Sequence, residues 1–395
     1  MTKRKSEFGL IFKLLLGIAV GAGIGFTAGE SLMQVVVSIK YVLGQLIFYT
    51  VPLVIVAFIA PAITRLGQNA NRMLLTAVGI AYISSVGAAT MACVAGYMII
   101  PHLSVPTNMS GLNELPKVLF KLDIPAVMPV MTALVTAVVL GLASLWTKAQ
   151  VMQKLLDELE GIMMQVIARV VIPVLPFFIA ATFCELAYEG SLTLQLPVFL
   201  KVIVLVLLGH FIWLTVLYGI GGIISGRNPL DVVRYYPPAY LTAVGTMSSA
   251  ATLPVSLSCA SRSPALSKNM VDFMIPLGAT IHLCGSVLTE TFFAMTISLM
   301  LYGSMPSIGT MILFITLFGF FAIGAPGVPG GTVMASLGIV VGVLGFDPAG
   351  VALLVAIFAL QDSFGTACNV TGDGAIALML EGIFNRKGEL SRQEA

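Results

Sequence analysis

Asp362, Thr366, Asn369 and Asp373 recur at i, i+4, i+7 and i+11 within Val351 to Leu380, a run that is otherwise almost entirely apolar. Steps of three and four residues return to one face of an α-helix. Two carboxylates, a carboxamide and a hydroxyl on one stripe can bind a cation, an ammonium group or both. Ionisable groups inside a membrane span are costly, so they face a protein interior and mark a pathway or a site.

A second polar cluster lies upstream, in Gly278-Ala279-Thr280-Ile281-His282-Leu283-Cys284-Gly285-Ser286 followed by Glu290. Thr280, His282, Ser286 and Glu290 bring hydroxyls, an imidazole and a carboxylate into an apolar stretch. Gly278 and Gly285 weaken a helix there and can free carbonyl oxygens. Na⁺ is a hard cation that takes oxygen ligands, and Asp373, Asn369 and such carbonyls would supply them. Glycine for close helix packing and hydroxyls bonded to their own backbone are the competing reading.

These residues must be positioned by a membrane protein. The 395-residue chain is 58% hydrophobic and 10% charged, whereas soluble chains carry about 25% charged residues. Mean hydropathy is +1.02. The expected class is all-α and polytopic; a β-barrel would show short alternating strands instead. The net charge of +2 indicates no partner class, and no basic run with interleaved aromatics suggests nucleic acid. The cysteines, Cys93, Cys184, Cys259, Cys284 and Cys368, read as small buried residues. His102, His210 and His282 lack the spacing of a structural metal site. No cofactor is expected.

A membrane helix needs about 20 apolar residues. Candidate spans cover roughly 9–28, 32–61, 74–101, 123–147, 158–187, 194–225, 266–303 and 348–383. Lys3, Arg4 and Lys5 before the first run read as the flank of a membrane helix rather than of a cleaved leader. Two further stretches, 231–263 and 306–345, are apolar but broken by Gly, Pro and Ser. They read as re-entrant hairpins, since irregular backbone at membrane depth is tolerated only where it lines a cavity or packs on protein. Paired interrupted segments of this kind point to a transporter binding site. With eight spans and two hairpins, most basic residues outside the spans fall on one side. Lys117 and Lys121 are the exception. That places both termini in the cytoplasm, in a protein of the cell's inner membrane surrounded by lipid.

Four motifs occur in order: Ser248-Ser249 through Thr252-Leu253-Pro254, Gly278-Ala279-Thr280-Ile281, Gly327-Val328-Pro329-Gly330 and Asn369-Val370-Thr371-Gly372-Asp373. In these the chain resembles the dicarboxylate/amino acid:cation symporters, the glutamate transporter homologues. The resemblance implies a homotrimeric secondary active transporter of inverted-repeat, elevator-type fold. Residues 1–226 would hold six helices, of which the first, second, fourth and fifth form a scaffold and the third and sixth join the core. Residues 227–395 would hold the rest of the transport core, with the second hairpin as gate. By the same resemblance Asp362 takes a substrate ammonium and Asn369 its α-carboxylate, while Ser248, Ser249, Ser286, Val328 and Thr366 line the pocket. Asp373 and Asn369 (the Na⁺ ligands), with carbonyls near Gly278, match one cation site. Thr280 with carbonyls around Ala325 matches another.

The departures narrow the substrate. Gly365 stands where acidic-substrate members carry an arginine, and Met247 stands at the alternative arginine position. A substrate carboxylate buried there without a cation would cost several kcal/mol. A small neutral amino acid resembling serine, threonine or alanine is therefore expected; acidic amino acids or dicarboxylates, and a transport-deficient member, are the alternatives. His282-Leu283-Cys284 replaces the Asn-Met-Asp of the family's cation sites, which include hydroxyls matching Ser84 and Ser85. Glu290 stands where proton-coupled relatives carry a glutamate, and His282 titrates near neutral pH when unperturbed. Coupling is expected to Na⁺, to H⁺ through Glu290 and His282, or to both. Two intramembrane aspartates also occur in aspartyl proteases, but Val370 replaces a glycine that their Gly-x-Gly-Asp turn requires, and no nucleophile–base–orienter set is evident. The chain is not read as an enzyme. A dedicated channel would not need a substrate-sized pocket behind hairpins.

Overall fold

The computed structural model describes residues 4–68, 72–103, 113–325, 327 and 329–385. Among the described residues it is helical without strands. The first half contains α1 (Arg4–Thr27), α2 (Glu30–Gln68), α3 (Arg72–Ile99), α4 (Val130–Trp146), α5 (Gln150–Val166), α6 (Ile172–Glu189) and α7 (Ser191–Ser225). A π-helical turn, Ile167–Val171, joins α5 to α6 just before Pro173, so the two form one continuous helical run. The second half contains α8 (Leu230–Val233), α9 (Pro237–Thr246), α10 (Ser249–Ala260), α11 (Lys268–Ile281), α12 (Cys284–Tyr302), α13 (Ile308–Gly324), α14 (Gly331–Gly342) and α15 (Pro348–Asn385).

Among the described residues six runs are long and apolar enough to cross a membrane: Glu30–Pro61, Arg72–His102, Gln150–Glu189, Ser191–Ser225, Lys268–Tyr302 and Pro348–Phe384. The other two expected spans carry shorter apolar helices, Leu15–Thr27 and Val135–Trp146. The fourth helix starts at Val130 rather than near residue 123, because Pro125 and Pro129 hold the approach out of the helical region; Pro129 is its N-cap. The fifth expected span begins earlier, at Gln150. Lys154, Asp157, Glu158 and Glu160 sit on the polar side of an amphipathic first segment rather than in a loop.

The two interrupted stretches are each a pair of short helices around a break. In one, α9 ends at Met247, whose φ of +52° is left-handed, and Ser248 caps α10 by accepting the Ala251 N–H at 3.2 Å. In the other, α13 ends at Ala325, and Gly330, with φ +72°, opens α14. Glycine adopts that angle without the Cβ penalty. The expected span 266–303 is not one helix. It breaks at His282 and Leu283 into α11 and α12.

α15 packs against α7, α12, α9 and α11, and α12 against α3. α12 and α15 are buried around nearly their whole circumference, the mark of central helices. α1 packs on α6, and α2 on α4, α5 and α6. A Cβ placed on Gly17, Gly21 or Gly25 would lie 2.8, 2.0 or 2.2 Å from the carbonyl oxygens of Pro176, Ala180 and Cys184. Only glycine permits so close a crossing.

Lys40 on α2 forms an ion pair with Glu185 on α6, with side chains 15% and 9% exposed. Removing one partner of a buried pair strands the other charge. Lys40→Met is expected to lower unfolding stability in detergent by roughly 3 kcal/mol or more; an unchanged unfolding midpoint would show that the pair carries no stability.

Candidate substrate and cation site

The stripe on α15 falls on a single buried face: Asp362, Thr366, Asn369 and Asp373 are each no more than 4% exposed. Three helix N-termini approach it. The tip of α14 reaches Asp362, whose Oδ2 accepts the Gly330 N–H at 2.7 Å. Thr366 donates to the other oxygen at 3.5 Å. The start of α12 reaches Asn369, whose Oδ1 accepts the N–H groups of Gly285 at 2.7 Å and Ser286 at 3.2 Å. Its Nδ2 donates to Ser286 Oγ at 2.9 Å. Asn369 thus caps α12 from another helix and holds the break open. The start of α10 meets the second hairpin, where Ser248 Oγ donates to the Gly327 carbonyl at 2.7 Å.

Helix N-termini carry partial positive charge and unpaired N–H groups, so their convergence favours an anion. Asp362 supplies the opposite sign a short distance along α15. Together they suit a zwitterion. Ser249 is buried in the first turn of α10. Gly365 faces Ser286, with a Cβ there 3.3 Å from Ser286 Oγ. Val328 lies outside the described residues.

At Asp373 the surroundings differ from those at Asp362. Its Oδ1 pairs with His282 Nδ1 at 2.9 Å, and His282 Nε2 bonds Ser84 Oγ on α3, also at 2.9 Å. Gly278 lies against the same carboxylate, 2.6 Å from a built Cβ to Oδ1. Thr280 is exposed, and its hydroxyl donates to the Leu277 carbonyl of its own helix at 2.7 Å. Ala325 is buried at the end of α13. Of the expected cation donors, Gly278 and Asp373 are brought together, whereas Asn369 turns toward α12.

Glu290 is fully buried on α12, where Ser336 of α14 donates to Oε1 while Oε2 has no partner among the described residues. Two contributors were not legible as such. His210 on α7 reaches the Gly285 carbonyl at 3.1 Å and Thr289 Oγ1 at 2.9 Å, buttressing the first turn of α12. Its sequence signal is a lone imidazole in an apolar helix. Ser336 has no signal beyond a hydroxyl in a hairpin arm.

Comparison with known proteins identifies the family. The profile of the sodium:dicarboxylate symporter family matches residues 10–383. Excitatory amino acid transporter 1 of Homo sapiens is 27% identical over 281 residues, which is 70% of this chain and 48% of that protein. Neutral amino acid transporter B(0) of Homo sapiens is 29% identical over 211 residues, 53% of this chain and 38% of that protein. Excitatory amino acid transporter 4 of Mus musculus is 25% identical over 293 residues, 73% of this chain and 49% of that protein. The chain spans about half or less of the length of these curated relatives. With apolar helices surrounding a buried polar stripe and a match over almost all its length, the chain belongs to the sodium:dicarboxylate symporter family, a family of integral membrane transporters and not of enzymes.

Proposed function

We propose that this chain is a cation-coupled symporter of a small neutral amino acid resembling serine, threonine or alanine. Asp362 receives the substrate ammonium. The N–H groups at the tips of α10 and α14, with Asn369, receive the α-carboxylate, and Ser248, Ser249, Ser286, Val328 and Thr366 line the pocket. Asp362 now accepts from Gly330, so an arriving ammonium would compete with that bond and couple substrate to the position of the second hairpin.

The observation that carries the substrate class is the charge inventory. Helix α15 contains no Lys or Arg, and between α9 and the start of α15 the lysines and arginines are Arg262 and Lys268 alone. Both sit in or beside the α10–α11 turn, at the far end of α10 from its tip. An acidic side chain in the pocket would have no cation partner there, at a cost of several kcal/mol. Gly365 lies against Ser286 instead, so that the polar group offered there is a short hydroxyl.

In the proposed cycle α1, α2, α4, α5 and α6 form a trimeric scaffold. The core of α3 and α7–α15 slides against it, with two re-entrant hairpins completing eight spans and both termini in the cytoplasm. Na⁺ enters near Thr280 and Ala325, and H⁺ is carried by Glu290. If Glu290 carries a proton inward with substrate, external acidification raises uptake, because more carriers are loaded. Glu290→Gln should then flatten that dependence; an unchanged pH profile would remove Glu290 from coupling.

The test of the function is uptake of labelled serine and labelled aspartate by proteoliposomes, under an imposed Na⁺ gradient and separately an imposed H⁺ gradient. Serine uptake driven by either gradient is expected. Aspartate uptake in its place would return the acidic-substrate alternative, and uptake of neither would return a transport-deficient member.

A further inference from the structure

We infer that the imidazole of His282 takes the place of a coupling cation beside Asp373, so that this carrier exchanges no Na⁺ at that position. The inference rests on the reading of the chain as a cation-coupled transporter and concerns how many ions it couples.

The oxygens that would serve a cation here are already engaged by the ring and by α12. Asp373 Oδ1 is paired with His282 Nδ1 at 2.9 Å, and Ser84 Oγ is paired with His282 Nε2 at 2.9 Å. An ionised carboxylate only accepts, so Nδ1 carries its proton toward Asp373. Asn369 Oδ1 already accepts two backbone N–H groups. Cys284, buried beside the imidazole, offers soft sulfur where a hard cation takes oxygen. Among the described residues Ser85 keeps a buried hydroxyl without a partner, and that hydroxyl with the second oxygen of Asp373 does not make a coordination shell.

The fold also makes room for the ring. A Cβ on Gly372 would stand 2.8 Å from His282 Cε1 and 3.3 Å from Cys284 Sγ. With a side chain at position 372 the imidazole could not lie between α3 and α15. The backbone break at His282 and Leu283 turns the ring inward. His282 therefore bridges α3 to α15 through two hydrogen bonds, the linking task a shared ion would perform, and a covalently attached ring does not leave with the substrate.

The test uses the purified full chain in detergent without substrate, so it is independent of which amino acid is carried. Thermal midpoints are compared in NaCl and in choline chloride at equal ionic strength. The wild type and Asp373→Asn should respond to Na⁺ equally, whether both shift or neither does. His282→Asn, which vacates the ring, should gain Na⁺-dependent stabilisation. A wild-type response abolished by Asp373→Asn would overturn the inference, as would an unaltered response in His282→Asn. Should these variants not fold, the Na⁺ dependence of wild-type uptake decides: it should be no steeper than first order, and a sigmoidal dependence would overturn the inference.

Discussion

Asp362→Asn should reduce amino acid uptake and binding by on the order of 100-fold or more, the loss expected when one member of a buried charge pair is removed. The substitution keeps size and one oxygen, so Gly330 can still donate to it and the fold should survive. What disappears is the negative charge proposed to face the ammonium. The check is equilibrium binding of labelled serine to purified protein, beside an unfolding curve. Intact binding in a folded variant would mean that the ammonium sits elsewhere, and the assigned pose would be wrong.

The second large effect concerns Asn369. In Asn369→Ala the N–H groups of Gly285 and Ser286 lose their acceptor and Ser286 Oγ loses its donor. Each unpaired buried donor costs roughly 1–3 kcal/mol, and the first turn of α12 is expected to fray. Both the unfolding midpoint and substrate affinity should fall, affinity by on the order of 100-fold for two such groups. Asn369→Asp separates the two roles. It retains the acceptors that cap α12 but replaces the amide donor with a charge that repels a substrate carboxylate. Stability should be kept while binding is lost. Equal loss of both would reduce Asn369 to a structural cap.

The stripe on α15 was legible because helical periodicity places Asp362, Thr366, Asn369 and Asp373 on one face whatever surrounds them. The hairpin tips were legible because clustered Gly, Pro and Ser disfavour a continuous helix there. The break at His282 and Leu283 was legible only as a weakening by Gly278 and Gly285; its position was not, since neither His nor Leu is a helix breaker. It is held by Asn369, 84 residues beyond Gly285, and by contacts of His282 with α3 and α15. The Glu290–Ser336 contact was hidden for the same reason. The early start of α5 was missed because charged residues on one side of an amphipathic helix resemble a loop when read in one dimension. The profile match and the relatives bear on family alone; the roles of individual side chains rest on the geometry and on the tests above.

The crossing of α1 and α6 has a mechanical consequence. Where Gly17, Gly21 and Gly25 meet the carbonyls of Pro176, Ala180 and Cys184, the seam is backbone against backbone. Side chains at an interface can hop between rotamers and so absorb shear; a seam without them cannot. The two helices behave as one laminated beam, stiff against bending and unable to creep. In the proposed cycle a sliding core would need such a wall, because a wall that yields would dissipate the displacement that carries the substrate across. Even one methyl group at Gly21 would pry the laminate apart, and its cost should appear in the turnover rate as well as in the folding equilibrium.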